Sequence, residues 1–159
     1  MSEPPDAFCV GPREGLEIEG PAGGPLTFKA RGEQTGGALL VFENVIAPGD
    51  GPPLHTHRDE DESWYVIEGG LRFRLGSEMH EAPQGSFVWV PRGLAHAFQN
   101  VSDTPARILV SFTPAGMERF FDAFAQLGPG PVDPSSFALL GREVGMEIVG
   151  PPLAKSDPL

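Results

Sequence analysis

The sequence predicts a single all-β domain, a sandwich or barrel, with a short helical segment on its C-terminal side. Short β-rich runs alternate with turn residues along most of the chain, which is typical of sandwiches and barrels. The 159 residues include 21 glycines and 18 prolines, and this content excludes long uninterrupted helices through most of the chain. Apolar residues follow the 3.6-residue spacing of a helix only after Pro114. The length suits one compact domain and excludes several.

The chain begins with a proline-rich segment, residues 1–25. We expect it to form an extended arm or edge strands lying on the domain. Seven β-rich runs bounded by glycine and proline follow it. The predicted strands are residues 26–30, 38–46, 62–68, 71–75, 86–90, 95–100 and 106–113. Residues 26–114 are therefore predicted to form the barrel.

The hydrophobic pattern changes beyond Pro114. Apolar residues then fall on one face of a helix with 3.6 residues per turn, which predicts a helix over residues 115–127. These residues are Met117, Phe120, Phe121, Phe124 and Leu127. A second short helix is predicted over 135–145 and a closing strand over 146–149. We expect residues 115–159 to pack on the same domain, with the aromatic face either capping a pocket or packing on the barrel or on a second subunit.

Charge and cysteine content exclude several kinds of partner. The 22 acidic residues outnumber the 11 basic residues, and the formal net charge of −11 repels nucleic-acid phosphates and anionic lipid surfaces. The single cysteine, Cys9, cannot form an intramolecular disulfide or a site of several thiolates. No apolar run approaches the length of a membrane span, and the first ten residues lack the pattern of a signal peptide. We expect a cytoplasmic protein without nucleic-acid or membrane partners.

Three histidines and one glutamate are predicted to converge inside the barrel. His55 and His57 are two residues apart on a segment entering a strand, so both side chains point to the same side. A four-residue bend follows, and Glu62 then opens a strand from which its carboxylate can return to the same interior point. His96 enters a further strand after a Pro-x-Gly turn and supplies a third imidazole.

This donor set suits a divalent first-row metal such as Fe, Mn, Ni, Cu, Co or Zn. It leaves one or two coordination positions for water, substrate or O2, so we expect an open, catalytic type of site that takes a small-molecule substrate. Trp64, Val66 and Phe98 share the side of the expected ligands and are predicted to line a dry substrate pocket. The alternative is a metal-free barrel whose histidines merely pack or bond to one another.

Other polar residues are expected to have no role in the site. The acidic residues 59–61 sit in the polar bend and are predicted to be solvated. His80 is predicted in a surface turn, and Arg72 and Arg74 on a solvated outer strand face. Asn100 is expected to bond the backbone at a strand end.

The two segments that carry these residues resemble the two signature motifs of the cupin superfamily. The first, G-x5-H-x-H-x4-E-x6-G, is filled by Gly49, His55, His57, Glu62 and Gly69. The second, G-x5-P-x-G-x2-H-x3-N, is filled by Gly85, Pro91, Gly93, His96 and Asn100. The resemblance implies a double-stranded β-helix, also called a jelly roll or cupin barrel, with His55, His57, Glu62 and His96 as metal ligands.

The flanks of the motifs resemble small bacterial quercetin 2,3-dioxygenase-like proteins, notably in the runs WYVIEG and VPRGLAHAFQN. This resemblance implies a metal-dependent dioxygenase acting on a small hydroxylated or aromatic compound, with Glu62 as the general base for a substrate hydroxyl. The alternatives are a metal-dependent isomerase, lyase or decarboxylase, or a nonenzymatic cupin that binds a small ligand. A homodimer is expected because sheet edges and apolar flanks are often covered by a second subunit.

Overall fold

The computed structural model describes residues 3–159, so the first two residues of the expected N-terminal arm lie outside the described residues. The strands in this range are β1 (Glu17–Glu19), β2 (Pro25–Ala30), β3 (Leu40–Ile46), β4 (Pro53–His57), β5 (Asp61–Glu68), β6 (Gly70–Leu75), β7 (Glu78–Pro83), β8 (Phe87–Val90), β9 (His96–Asn100), β10 (Ala106–Thr113) and β11 (Met146–Pro152). The helices are α1 (Gly32–Thr35), α2 (Glu118–Ala125), α3 (Pro134–Glu143) and α4 (Leu153–Ser156).

The strands form two antiparallel sheets around one hydrophobic core. The first sheet has the strand order β1-β2-β3-β10-β5-β8, and the second has the order β11-β4-β9-β6-β7. Consecutive strands often lie in different sheets, so the chain crosses repeatedly between the two layers, as in a jelly roll. This arrangement confirms the predicted all-β fold with short C-terminal helices.

Three rungs of paired residues describe the inner face of the first sheet. Side chains alternate between core and exterior along β3, β5 and β10, as the strand period requires. The rungs, read from β5 through β10 to β3, are Glu62–Phe112–Leu40, Trp64–Val110–Phe42 and Val66–Ile108–Asn44. Eleven side chains of these strands are buried within residues 40–46, 62–66 and 106–112, and nine of them are apolar. The two polar exceptions are Glu62 and Asn44.

The aromatic centre of the core gives a test of the packing. Phe73 is fully buried, and its ring centroid lies 5.1 Å from that of Trp64 and 5.6 Å from that of Phe98. We expect Phe73→Ala to lower the free energy of unfolding by about 3–5 kcal/mol, because a large cavity replaces the ring. Urea unfolding followed by circular dichroism measures the change. Phe87→Ala is the matched control, since Phe87 is 67% exposed; a comparable loss in both variants would contradict the described core.

The C-terminal helices fold back over the domain. The predicted helix 115–127 is realised as α2, which begins after a turn at Gly116, where φ is 149°. The side chain of Asp133 caps α3 by accepting a hydrogen bond from the Ser135 backbone at 2.7 Å. The rings of Phe120 in α2 and Phe137 in α3 are 5.1 Å apart, and α3 packs on β11. The closing strand β11 is three residues longer than predicted and pairs with β4.

Two surface predictions are wrong. His80 does not lie in a turn but in β7, an edge strand whose polar side chains are mostly exposed and therefore lack the alternation that marks a strand. Arg72 is not solvated: its side chain is 13% exposed and donates to Gln99 Oε1 at 2.7 and 2.9 Å and to Asp157 Oδ2 at 3.1 Å. The C-terminal tail covers this outer face, and the sequence around Arg72 gives no sign of that contact. Arg74 is half-buried and donates to the Gly76 carbonyl at 3.0 Å.

Within residues 3–159, no helix combines the length and the apolar character that crossing a membrane requires.

Candidate metal centre

Four buried side chains with metal-binding atoms meet between the sheets. They belong to His55, His57, Glu62 and His96, and one ligand atom from each lies within 4.8 Å of every other. Each residue is between 1% and 6% exposed. The structure therefore brings together all four residues that the sequence analysis selected as metal ligands.

The strand pattern explains why these side chains converge. His55 and His57 are alternate residues of β4, so both face the interior. His96 begins β9 and is the direct antiparallel partner of His55. Glu62 belongs to β5 in the opposite sheet and faces the histidines across the core. Three nitrogens therefore come from one sheet and the carboxylate from the other.

Backbone carbonyls orient two of the imidazoles. His55 Nδ1 lies 2.7 Å from the Pro53 oxygen, and His96 Nδ1 lies 2.9 Å from the Leu94 oxygen. A carbonyl can only accept a hydrogen bond, so these contacts place the proton of each neutral ring on Nδ1. The Nε2 lone pairs then face the interior, which is the arrangement that orients histidine ligands in metalloproteins.

The contacts of Glu62 fit a cation at the centre of the cluster. Glu62 Oε2 lies 3.0 Å from both His57 Nε2 and His96 Nε2. With its proton on Nδ1, a neutral His96 has no proton on Nε2 to donate, so its contact with the carboxylate is favourable only beside a shared cation or with a second proton on the ring. Neither ring nitrogen of His57 has a hydrogen-bond partner within residues 3–159. A divalent ion would provide a partner for Glu62 Oε2, His96 Nε2 and one ring nitrogen of His57.

The electrostatics of the cluster also favour cation binding. Burial alone would raise the pKa of Glu62, but the polar contacts from His57 and His96 outweigh it and lower the pKa to about 2, so the carboxylate is ionised at neutral pH. Burial, followed by the neighbouring imidazoles of His96 and His57, lowers the pKa of His55 well below 6.5. His55 is thus neutral at neutral pH, as a metal ligand must be.

A cavity of about 1120 Å³ adjoins the cluster. His55, His57 and Glu62 lie on its wall, and it extends from them toward β3 and the C-terminal helices. Trp64 and Phe98 line it, in the positions expected of pocket residues. Val66 does not: it is fully buried on β5, away from the side toward which the cavity runs. The alternation of side chains along β5 places Val66 on the inner face of the sheet. It does not determine which positions of that face border the cavity.

The acidic bend before β5 differs from the expected solvated loop. Asp59 and Asp61 are paired with Arg58 at 2.9 Å and Arg92 at 3.1 Å. Glu60, in contrast, is 5% exposed, and its Oε2 atom has no hydrogen-bond partner within residues 3–159. Burial raises the pKa of its carboxyl group. A run of three acidic residues gives no signal that the middle one turns inward, so sequence reasoning missed this buried carboxyl beside the cluster.

Comparison with known proteins agrees with this geometry. Residues 42–112 match the protein family described as Cupin domain. This segment is a cupin domain. It extends from β3 to the penultimate residue of β10 and contains the whole four-residue cluster. The resemblance predicted from the two motifs is confirmed.

The chain is also similar to curated relatives and to solved structures. The chain is 33% identical to the quercetin 2,3-dioxygenase of Bacillus subtilis over 90 residues, which are 57% of this chain and 26% of that protein. It is 32% identical to the tetracenomycin polyketide synthase protein TcmJ of Streptomyces glaucescens over 69 residues, 43% of this chain and 46% of that protein. An RmlC-like cupin from Shewanella frigidimarina has a TM-score of 0.60 at 17% identity, over 74% of this chain and 98% of the other, and shows the fold.

The cupin matches cover only part of the curated relatives. The matched stretches span between 26% and 59% of the length of those proteins. The fold and the donor atoms of the cluster follow from the chain itself. These partial matches assign no activity to it.

Proposed function

We propose that this cupin is a mononuclear metal-dependent dioxygenase that acts on a hydroxylated aromatic compound. The observation that carries the proposal is the position of the three-histidine, one-carboxylate cluster on the wall of a large aromatic cavity. The similarity to the quercetin 2,3-dioxygenase of Bacillus subtilis supports the reaction class. His55, His57, Glu62 and His96 are the residues that would hold the metal.

The donor set determines what the bound ion contributes. A divalent transition metal held by three imidazoles and one carboxylate supplies open coordination positions and Lewis acidity toward a substrate hydroxyl. The four protein groups are carried by strands of both sheets, so their positions are set by the packing of the barrel rather than by a loop.

Glu62 is the proposed general base. Its carboxylate is ionised at neutral pH because its pKa is lowered to about 2, so it can accept the proton of a substrate hydroxyl at Oε2. Burial opposes this ionised state. The carboxylate therefore becomes a stronger base whenever a substrate displaces its contacts with His57 and His96.

The aromatic wall controls water and orientation. Phe112 lies against the cluster, with its ring centroid 5.1 Å from that of His57, and Trp64 lies 5.4 Å from His96. These rings exclude water from the reacting hydroxyl and offer faces and edges against which a flat substrate can stack. The pocket therefore favours an aromatic substrate over a strongly hydrated sugar or carboxylic acid.

Metal analysis combined with oxygen uptake tests the proposal. Protein purified under metal-replete conditions is expected to contain about one Fe, Mn, Ni, Cu or Co ion per chain and to consume O2 with at least one member of a panel of catechols, flavonols and 1,3-diketones. Glu62→Gln is expected to reduce the uptake rate by at least about 100-fold by removing the base. Zinc-loaded protein without uptake would instead support a Lewis-acid isomerase, lyase or decarboxylase, and tight ligand binding without turnover would support a binding protein.

A further inference from the structure

We infer that Glu60 is a positioning residue of the metal centre. In the metal-loaded protein its carboxyl group accepts a hydrogen bond from Nδ1 of His57 and holds that imidazole in the orientation in which Nε2 binds the ion. Glu60 is neither one of the four clustered residues nor part of the cavity wall, so it acts through His57 and not on a substrate. The inference rests on the metal centre of the proposed function and not on the reaction that the metal supports.

His57 differs from the other two histidines in how its ring is held. The Nδ1 atoms of His55 and His96 each face the backbone carbonyl two residues earlier, at 2.7 and 2.9 Å. Nδ1 of His57 is buried and has no hydrogen-bond partner within residues 3–159. Its Nε2 atom lies 3.0 Å from Glu62 Oε2, so Nδ1 carries the proton when the neutral ring binds a metal through Nε2. A buried donor without an acceptor is unfavourable.

The backbone of His57 is fixed, but its ring is not. The Gly93 backbone donates a hydrogen bond to the His57 carbonyl at 2.8 Å, and His57 pairs with Met146 of β11. The ring itself contacts Phe112, whose centroid lies 5.1 Å away and which offers no acceptor oxygen from its side chain. The orientation of this imidazole therefore calls for a side-chain acceptor from elsewhere in the chain.

Glu60 carries a buried acceptor beside this ring. It lies on the bend between β4 and β5, three residues after His57. The residue is 5% exposed, and its Oε2 atom has no hydrogen-bond partner in the described part of the chain. Burial raises the pKa of Glu60, and the imidazole of His57 opposes that rise more strongly than Arg119 or Arg92 does. Charge effects weaken with distance, so the carboxyl group and the imidazole are neighbours.

The burial of both atoms favours this pairing. Neither Nδ1 of His57 nor Oε2 of Glu60 is open to solvent, so the missing partner of each must come from the chain itself. Among residues 3–159, the other buried side-chain oxygen without a partner is Oδ1 of Asn44, which lies in the third rung rather than at the cluster. Gly116 leaves room for the carboxyl group, since a Cβ there would lie 3.2 Å from Glu60 Oε1. A rotation of the glutamate side chain then satisfies donor and acceptor together.

Cobalt affinity of the full-length protein tests the inference. Glu60→Leu removes the acceptor, and we expect it to weaken Co²⁺ binding by about 10–100-fold, the usual effect of losing a group that orients a metal ligand. Glu60→Gln keeps a carbonyl oxygen that can accept the same hydrogen bond, so its loss should be less than about fivefold. Asp59→Asn is the matched control, because Asp59 is the exposed neighbour and pairs with Arg58. It should bind Co²⁺ like the unmutated protein in competition with a chelator.

Proton spectra of the cobalt-loaded protein separate positioning from a general structural role. The bound ion shifts the ring N–H resonances of its histidine ligands away from all others, and these signals exchange with deuterium in D2O. The unmutated protein and Glu60→Gln should show three such signals, one for each histidine of the cluster. In Glu60→Leu one signal should move or disappear, while the two held by the Pro53 and Leu94 carbonyls stay. A general distortion of the barrel would move all three.

The outcomes distinguish this inference from the proposed function. Unchanged cobalt affinity in Glu60→Leu, equal losses in Glu60→Leu and Glu60→Gln, or displacement of all three signals would overturn the role of Glu60 and leave the metal centre standing. An unmutated protein that binds no cobalt would overturn both. Absence of oxygen uptake with every metal would count against the proposed reaction alone. Glu60→Ala replaces the leucine variant if the latter does not fold, with the same expected loss of affinity and of one signal.

Discussion

Replacing His96 by alanine is expected to remove stoichiometric metal binding. The imidazole supplies one of four converging ligand atoms, is 1% exposed and is held by the Leu94 carbonyl. Loss of a residue that merely orients a ligand typically costs about 10–100-fold in metal affinity, so loss of a ligand itself should cost more than about 100-fold. Metal content after dialysis, measured by inductively coupled plasma mass spectrometry, should fall from about one ion per chain to background.

His80→Ala is the matched control for this experiment. His80 is the histidine of β7, the edge strand that β6 separates from β9, and its side chain is 48% exposed. We expect this variant to retain its metal. His57→Ala should behave like His96→Ala, which guards against a folding defect peculiar to one position. Full metal content in both folded variants would refute the assignment of the cluster as a metal centre.

Acidification is expected to release the metal and to destabilise the metal-free protein. Metal ligands must be deprotonated, so protons compete with the ion, and affinity should fall by at least about tenfold per pH unit once the imidazoles begin to protonate. The stabilisation that added metal provides should therefore shrink from pH 7 toward pH 5.

The metal-free protein should respond in the same direction. The pKa of His55 is lower in the folded protein than its ordinary value of 6.5, so the unfolded chain binds this proton first and stability declines as pH falls below about 6.5. The pKa of Glu62 is lowered from 4.5 to about 2, so its contribution is present above 4.5 and is lost as pH falls toward 2. Both groups make the fold less stable in acid.

Thermal unfolding with and without added metal, measured between pH 8 and pH 5, tests both effects. The unmutated protein should show a metal-induced rise in unfolding temperature at pH 7 that disappears in acid. His96→Ala should show no rise at any pH. A metal-induced rise that stays constant across this range would contradict protonatable ligands.

The candidate ligands could be identified from sequence because their geometry is local. The two-residue spacing of His55 and His57 places them on one face of any strand. The spacing to Glu62 and the turn before His96 belong to the two motifs that also specify the fold. His55 of β4 pairs directly with His96 of β9, and β5 pairs with β10 without a shift around Glu62, so the side-chain alternation of these strands leads to the predicted convergence.

Other features depended on contacts between distant segments. Arg72 is covered because Asp157, 85 positions later, folds onto β6. Glu60 turns inward while the acidic residues on either side of it pair with arginines. The residues around Arg72 and Glu60 form no pattern that indicates burial. Because acidic and basic residues are most often solvated, the sequence analysis placed both at the surface.

By itself, the sequence determined the all-β fold, the four converging candidate ligand residues and the amphipathic character of the C-terminal helix. Only the tertiary structure decided which interior positions border open space, since Asn44 and Val66 share one rung and the cavity reaches only Asn44. The physical reason is that strand alternation reports which face of a sheet a side chain occupies. The depth of open space above that face depends on how the opposite sheet and the helices α2 and α3 pack over it.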